Sequence, residues 1–218
     1  MDSVVQRKNM VDSQVRPSDV TDRRLIRAML AVPREMFVPV AQRAIAYMDG
    51  NLEVSADGRR VLLAPRTLAK MIQHLAPDAD ASILDVGPAT GYSTAVLALI
   101  AKRVVALESE ASFAEQIQRE LAAQKVTNAE VYVGAFTDGY RGHGPYDGIL
   151  INGKVSDVPP TLLNQLKDGG RLIAILDVNG VGKAFEWRRY AMNFDRRPLF
   201  DAEAPVLPGF ERVIEFVL

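Results

Sequence analysis

The chain of 218 residues lacks cysteine, and it contains only two histidines, His74 and His143. Without cysteine there can be no disulfide, no thiolate metal ligand and no cysteine nucleophile, and two histidines would need several carboxylates to form a zinc site. The sequence also lacks any apolar run near the roughly 18 residues that a membrane-spanning helix requires. We therefore expect no metal site and no membrane segment, and a cytoplasmic location.

A strong excess of charge of either sign is also absent. Lys and Arg total 26 residues against 27 Asp and Glu, so the formal net charge is -1. Such a chain has no global field that attracts nucleic acid or anionic lipid. The run Trp187–Tyr190 mixes aromatic and basic residues, but the pattern is more typical of an edge strand with one wet face. We expect no nucleic-acid or membrane partner, and the sequence leaves the oligomeric state open.

What the sequence does contain is a series of short runs rich in isoleucine, valine and leucine. Runs without polar alternation are typical of strands covered on both faces. Helical patterns separate the first three runs, and another helical pattern, PTLLNQLK, precedes the run RLIAIL. This order predicts a parallel sheet wrapped by helices, with an antiparallel ending after an Asn-Gly turn. The predicted strands are SILDVG, RVVALE, AEVYVG, DGILIN, RLIAIL and, at the end of the chain, ERVIEFVL.

The first part of the chain has helical spacing instead. Two short helices are predicted between Ser3 and Ala31, separated at Arg16-Pro17, with Ser18 or Asp19 as the cap of the second. A third helix is predicted over Pro65–Leu75. We therefore expect one structural domain in which a helical extension, residues 1–75, packs on a core, residues 76–218.

The segment DVGPATGY, residues 85–92, connects the first predicted core strand to a helix. Turns at the carboxyl ends of such strands bind ligands in doubly wound folds, and Gly87 and Gly91 let a ligand approach the backbone closely. A dinucleotide motif would require glycine at the positions of Ala89 and Tyr92, so a pyrophosphate ligand is disfavoured. The acid Asp85 suits a cationic ligand, of which S-adenosylmethionine is an example.

Glu108 ends the second predicted core strand, next to this turn. A carboxylate there can accept two hydrogen bonds from a ribose diol. Each feature alone has a simpler explanation, since a glycine turn can be only a tight connection and an acid after a strand can cap a helix. Found in this order, the two features together favour a ligand with a ribose.

These residues belong to a wider pattern. Between about residue 22 and residue 175 the chain resembles the protein-L-isoaspartate O-methyltransferases. The resemblance implies a Rossmann-like, doubly wound α/β fold with a mostly parallel seven-stranded sheet, an antiparallel C-terminal ending and an N-terminal helical extension. Its landmarks are VPREMFVP (32–39), AYMDGNLEV (46–54), LLAPRTLAKM (62–71), ILDVGPATGYSTAVLA (83–98), VVALE (104–108), PYDGI (145–149) and VPPTLLNQLKDGGRL (158–172).

The resemblance implies that S-adenosylmethionine is the cofactor. Its site residues would be Asp85, Gly87, Pro88, Ala89, Gly91, Tyr92, Glu108, Ser109, Ala135, Phe136 and Asp138. Two of these depart from the family pattern. Ala89 replaces a glycine, and the family's Gly-Asp-Gly becomes GAFTDG, so that either Ala135 or Asp138 corresponds to the acid that contacts adenine. The sequence leaves that choice open.

The substrate loop departs further. The resemblance assigns it to Leu63, Ala64, Arg66 and Thr67, and Leu63 stands where the family usually has the serine that lies at the substrate carboxylate. Leucine cannot donate a hydrogen bond, although Arg66 and Thr67 could supply replacement donors. A carboxylate with a pKa near about 4 is ionised at neutral pH, so no general base is needed and no catalytic residue is assigned.

Three functions therefore compete. The first is S-adenosylmethionine-dependent methylation of a carboxylate on damaged aspartyl residues of proteins or peptides, or methylation of another substrate. The second is a catalytically impaired member of the family that acts as a cofactor-binding or protein-interaction module, as Leu63 and Ala135 suggest. The third is a nicotinamide-dependent oxidoreductase, which Ala89 and Tyr92 disfavour.

Overall fold

The computed structural model describes residues 2–211, which form an α/β fold around a seven-stranded sheet. The strands are β1 (Leu52–Glu53), β2 (Val61–Leu62), β3 (Ser82–Val86), β4 (Arg103–Glu108), β5 (Ala129–Val133), β6 (Tyr146–Val155), β7 (Leu166–Val178), β8 (Val181–Tyr190) and β9 (Asn193–Asp201). The large sheet has the order β5-β4-β3-β6-β7-β8-β9, and β1 and β2 form a separate antiparallel pair. Strands β3 to β7 are parallel to one another. Strand β8 is antiparallel to β7, and β9 is antiparallel to β8. The predicted fold class is confirmed.

Six α-helices accompany the strands within residues 2–211. They are α1 (Ser3–Met10), α2 (Arg23–Ala31), α3 (Pro65–Leu75), α4 (Tyr92–Ala98), α5 (Ala111–Ala123) and α6 (Pro160–Leu163). None of the described helices is both long and apolar enough to cross a membrane. The helix predicted over PTLLNQLK is shorter than expected, because α6 makes a single turn and the chain is already extended at Leu166.

The predicted cap of the second N-terminal helix was wrong. Asp19 has a left-handed backbone with φ of 61° that ends the preceding turn, and α2 begins only at Arg23. The cap is Asp22, whose Oδ1 accepts a hydrogen bond from the backbone N–H of Arg24 at 2.8 Å. The first helix also continues beyond α1 as a π-helical turn, Val11–Val15, and a 3-10 turn, Arg16–Ser18.

Strands β8 and β9 form the C-terminal part of the sheet. The Asn-Gly turn is confirmed, because it joins β7 to the antiparallel β8. The run Trp187–Tyr190 is not an edge strand as expected, since β8 lies between β7 and β9 and Trp187 is buried. The strand predicted over ERVIEFVL lies outside the described residues, apart from Glu211.

The core consists of two apolar layers, one on each face of the sheet. Side chains alternate along a strand, so Ile83 contributes to one layer and Leu84 to the other. The first layer also receives the N-terminal helices and α3, which packs against β6 and β7. The second layer is closed by Leu162 from α6 and by Leu207 and Phe210 from the segment after β9. This last segment lies against Gly87 and Gly153 at the carboxyl edge of the sheet.

Candidate functional site

The glycine turn leaves β3 at the carboxyl edge of the sheet and is built from left-handed residues. Gly87, Ala89 and Gly91 have φ of 66°, 55° and 96°, and Gly91 is the N-cap of α4. The backbone N–H of Gly87 donates to the carbonyl of Leu107 at 2.9 Å, which fixes the turn beside β4. A left-handed backbone costs free energy in any L-residue with a Cβ, so Ala89 has an unfavourable conformation that a glycine would adopt freely.

Ala89→Gly is therefore expected to raise the free energy of unfolding by about 1 kcal/mol. Urea unfolding followed by circular dichroism measures the change. Ala95→Gly is the matched control, because Ala95 lies inside α4 and the same change there should destabilise by about 1 kcal/mol. Destabilisation by Ala89→Gly would contradict the strain that we assign to this position.

Asp85 is completely buried under the turn and ties it to its neighbours. Its Oδ2 accepts hydrogen bonds from the hydroxyls of Ser93 (2.8 Å) and Thr94 (2.7 Å), and its Oδ1 accepts one from Nδ2 of Asn152 at 2.6 Å. Burial raises the pKa of Asp85 to about 6, and these three hydrogen bonds oppose the rise. All three donors come from the protein, so Asp85 holds α4 and β6 against the turn.

This burial has a consequence for stability. The pKa of Asp85 is higher in the folded protein than its ordinary value of 3.8, so the folded state loses stability as the pH rises through the interval from about 4 to about 6. Asp85→Asn removes this dependence. We expect the difference in unfolding free energy between wild type and variant to change by about 3 kcal/mol across that interval, measured by urea unfolding. The exposed substitution Asp80→Asn is the control, and a change of opposite sign would refute the assignment.

Glu108 lies at the tip of β4, as expected for a ribose-binding acid, but it is fully buried and already paired. Its two oxygens face the two terminal nitrogens of the Arg60 guanidinium, with Arg60 Nη1 at 2.8 Å from Oε2. Its Oε1 also accepts the backbone N–H of Ala89 at 2.7 Å. Burial raises the pKa of the Glu108 carboxyl, while Arg60 acts in the opposite direction. The carboxylate is thus saturated by donors of its own chain.

The sequence analysis did not identify Arg60. It directly precedes β2 and is 2% exposed. Its guanidinium lies 4.9 Å from the ring centre of Phe113 and 5.1 Å from that of Phe136, so aromatic rings enclose the ion pair. Neither its neighbours in the chain nor any recognised spacing marks this arginine as a partner of Glu108.

Leu207 was also missed, and it covers the glycines of the crevice. A Cβ placed on Gly87 would lie 2.8 Å from Leu207 Cδ2, and one placed on Gly153 would lie 2.5 Å from Leu207 Cγ. The leucine therefore packs directly on the backbone of both residues. The gap that remains between the turn and the loop Val61–Leu63 measures about 10 Å³. A gap of this size holds about one water molecule.

The other predicted cofactor residues divide into two groups. Pro88 and Tyr92 are buried in the turn and the start of α4, and the phenol oxygen of Tyr92 has no hydrogen-bond partner within the described chain. Phe136 is buried against Arg60. Ser109, Ala135 and Asp138 are exposed. Of the GAFTDG segment, the side chain closest to the crevice is thus the Phe136 ring, and neither candidate for the adenine contact points into a buried site.

The predicted substrate loop is similarly divided. Leu63 is buried against the turn, and its carbonyl accepts a hydrogen bond at 2.9 Å from the buried Arg34. Ala64 is the N-cap of α3 and donates its N–H to Oδ1 of Asn51. Thr67 is buried in α3, whereas Arg66 is exposed and forms an ion pair of 3.1 Å with Asp49.

An open cleft of about 570 Å³ lies on the far side of this loop. Basic, acidic and hydroxyl side chains line it together, including Ser18, Asp49, Arg66, Thr67, Lys70 and Glu203. Arg66 and Thr67, which sequence reasoning offered as replacement donors, therefore face this cleft, while Leu63 faces the closed crevice.

Comparison with known proteins identifies the family. The family model for protein-L-isoaspartate(D-aspartate) O-methyltransferase matches residues 5–195. The protein-L-isoaspartate O-methyltransferase of Methanoculleus marisnigri is 35% identical over 169 residues, which cover 78% of this chain and 76% of that protein. The chain belongs to this family. The resemblance stated from the sequence motifs is confirmed.

Two solved structures whose names include protein-L-isoaspartate O-methyltransferase have the same fold as this chain. One has a TM-score of 0.82 at 24% identity, and the match covers 93% of this chain and 66% of that longer chain. The other, from Plasmodium falciparum and solved in complex with S-adenosyl-L-homocysteine, has a TM-score of 0.79 at 19% identity and covers 92% and 97%. At these identities the likeness concerns the fold.

S-adenosylmethionine is the methyl donor of the family, and the crevice can be compared with its requirements. The donor set fits, because a glycine turn and a strand-end carboxylate lie together at the carboxyl edge of the sheet. The space does not fit. A ligand of that size occupies a pocket of roughly 300 to 1,000 Å³, whereas the gap lined by Leu63, Pro88 and Tyr92 measures about 10 Å³. In the described conformation Arg60 engages both oxygens of Glu108, and Leu207 packs on the backbone of Gly87.

Proposed function

We propose that the chain is an S-adenosylmethionine-dependent O-methyltransferase that esterifies a carboxylate of damaged aspartyl residues, such as isoaspartyl residues, in proteins. The observation that carries this function is the family match over residues 5–195. It is supported by the glycine turn at Gly87–Gly91 and by Glu108, which stand together at the sheet edge. The relative from Plasmodium falciparum, with its bound S-adenosyl-L-homocysteine, agrees with this proposal.

Methylation of a carboxylate requires little acid–base catalysis by the protein. An isoaspartyl carboxylate is ionised at neutral pH, so alignment and partial desolvation of its oxygen are the main contributions, and these can be worth several powers of ten. We propose that the substrate approaches through the open cleft, where Arg66 and Thr67 can donate hydrogen bonds to an anion. Leu63 offers no such donor, so we expect slow methylation of isoaspartyl peptides.

A second candidate function is a protein-interaction module that keeps the fold without turnover. Two observations favour it, the Arg60–Glu108 pair inside the crevice and Leu63 in place of a hydroxyl-bearing residue. A nicotinamide-dependent oxidoreductase has no such support, since the family match and the residues of the turn both oppose it.

The test is transfer of label from radioactive S-adenosylmethionine to a peptide. The purified protein is incubated with an isoaspartyl peptide and, as the matched control, with the same peptide containing ordinary aspartate. A relative with serine in the substrate loop serves as the positive control. Label in the isoaspartyl peptide alone supports the methyltransferase. No label above the aspartate control, under conditions in which the relative works, would favour the interaction module.

We propose that the substrate is a protein or peptide, that neither nucleic acid nor membrane is a partner, and that the location is cytoplasmic. We also propose that residues 1–75 form the extension that carries the substrate loop and that residues 76–218 form the core. We propose as well that the cofactor residues assigned from the resemblance bind S-adenosylmethionine.

A further inference from the structure

We infer that Arg60 and Leu207 are internal occupants of the cofactor crevice and compete with the cofactor for it. This inference rests on the proposed function for the identity of the ligand. It assigns a role to two side chains that do not belong to the glycine turn. One fills the place next to the ribose-binding acid, and the other covers the glycines along which the amino-acid part of the cofactor would lie.

Arg60 satisfies Glu108 in the way that a ribose diol would. A diol presents two donors to the two carboxylate oxygens, and the Arg60 guanidinium presents two parallel N–H groups to the same oxygens. A charge-assisted, two-point pair of this kind is stronger than hydrogen bonds from neutral hydroxyls. The cofactor therefore has to displace a better partner from Glu108 before its ribose can bind.

Leu207 is held in place by the backbone on both sides of it. The N–H of Lys154 donates to the carbonyl of Pro205 at 2.9 Å, and the N–H of Leu207 donates to the carbonyl of Lys154 at 2.9 Å. The segment after β9 thus runs beside the end of β6 and presents Leu207 to Gly87 and Gly153. Because Leu207 is 2% exposed, moving it out would expose its whole side chain to water.

The rim of the crevice offers Arg60 an alternative partner. Oε1 of Glu110, a side chain that is 52% exposed, lies 3.8 Å from Nη1 of Arg60. The guanidinium can therefore turn outward and keep a carboxylate partner while Glu108 becomes available. Two positions of one arginine, inward on Glu108 and outward on Glu110, would set how much of the protein is competent to bind. The apparent affinity for the cofactor equals the intrinsic affinity multiplied by the fraction of protein in the outward state.

The experiment is calorimetric titration of the full chain with S-adenosylmethionine and with S-adenosyl-L-homocysteine. The proteins are the wild type, Arg60→Ala, Leu207→Ala and the double variant. Arg59→Ala is the matched control, because Arg59 is the adjacent arginine and forms its ion pair with Glu211 at the surface. We expect Arg60→Ala and Leu207→Ala each to bind at least tenfold more tightly than the wild type, and Arg59→Ala to bind as the wild type does.

Removal of Arg60 leaves Glu108 buried without its cation, so this variant can be unstable. Circular dichroism and thermal unfolding check each protein, and Leu207→Ala keeps the ion pair intact as an independent variant. The inference is overturned if the wild type binds as tightly as the folded variants, or if no folded variant binds either ligand. Tight binding by the variants without methyl transfer to any isoaspartyl peptide would count against the proposed function alone.

Discussion

Glu108→Ala is expected to lower the free energy of unfolding by about 3 to 5 kcal/mol, the largest effect on stability that we predict for a single substitution. The variant removes the buried counter-charge of the Arg60 guanidinium and leaves only the half-exposed Glu110, 3.8 Å away, as a carboxylate partner. It also leaves the backbone N–H of Ala89 without its acceptor. An uncompensated buried charge costs far more than the net contribution of the ion pair itself.

Urea unfolding of Glu108→Ala, Arg60→Met/Glu108→Leu and Glu110→Ala measures this effect. The double substitution replaces both charges with apolar side chains, so it should recover most of the lost stability. Glu110→Ala is the control, since this glutamate is half-exposed at the rim and should change stability by less than about 1 kcal/mol. A loss of less than about 1 kcal/mol in Glu108→Ala would mean that the pair is not buried in solution.

The second large effect concerns catalysis. In a protein that already carries Arg60→Ala, Leu63→Ser is expected to raise kcat/KM for methylation of an isoaspartyl peptide by about a hundredfold. A hydroxyl that donates to charge developing in a transition state is worth roughly 2 to 4 kcal/mol. Leu63 is buried between the turn and the loop, so a serine there would lie at the inner wall of the crevice. In the wild-type background we expect a much smaller gain, because the crevice remains closed.

Initial rates with labelled S-adenosylmethionine give kcat and KM for the single and double variants. Leu62→Ser is the matched control, as it makes the same change at the neighbouring buried residue of β2. Both serine variants lose stability, so the assay temperature must keep all of them folded. Equal rates for the two serine variants in the Arg60→Ala background would mean that the loss of the hydroxyl at position 63 is not the limiting defect.

Several local features of the fold could be predicted because they depend on nearby residues. Four of the five unalternating runs became buried parallel strands, whereas AEVYVG became the half-exposed edge strand β5. The Asn-Gly turn joined β7 to β8, and a helix begins at Pro65. Two predictions were wrong, one for the cap of α2 and one for the run at Trp187. Asp22 rather than Asp19 caps α2, because the helix begins only at Arg23. The run at Trp187 entered the sheet interior because β9, which the sequence pattern did not indicate, pairs beyond it.

The sequence by itself determined the family, the parallel sheet and the position of the glycine turn and Glu108 at its edge. Those properties follow from the order and spacing of residues close together in the chain. Only the tertiary structure decided what fills that edge. Arg60 lies 48 residues before Glu108, and Leu207 reaches Gly87 through a segment paired beside β6. Contacts of that kind depend on how distant segments pack, and packing forces one arginine and one leucine into the space that a ligand would otherwise occupy.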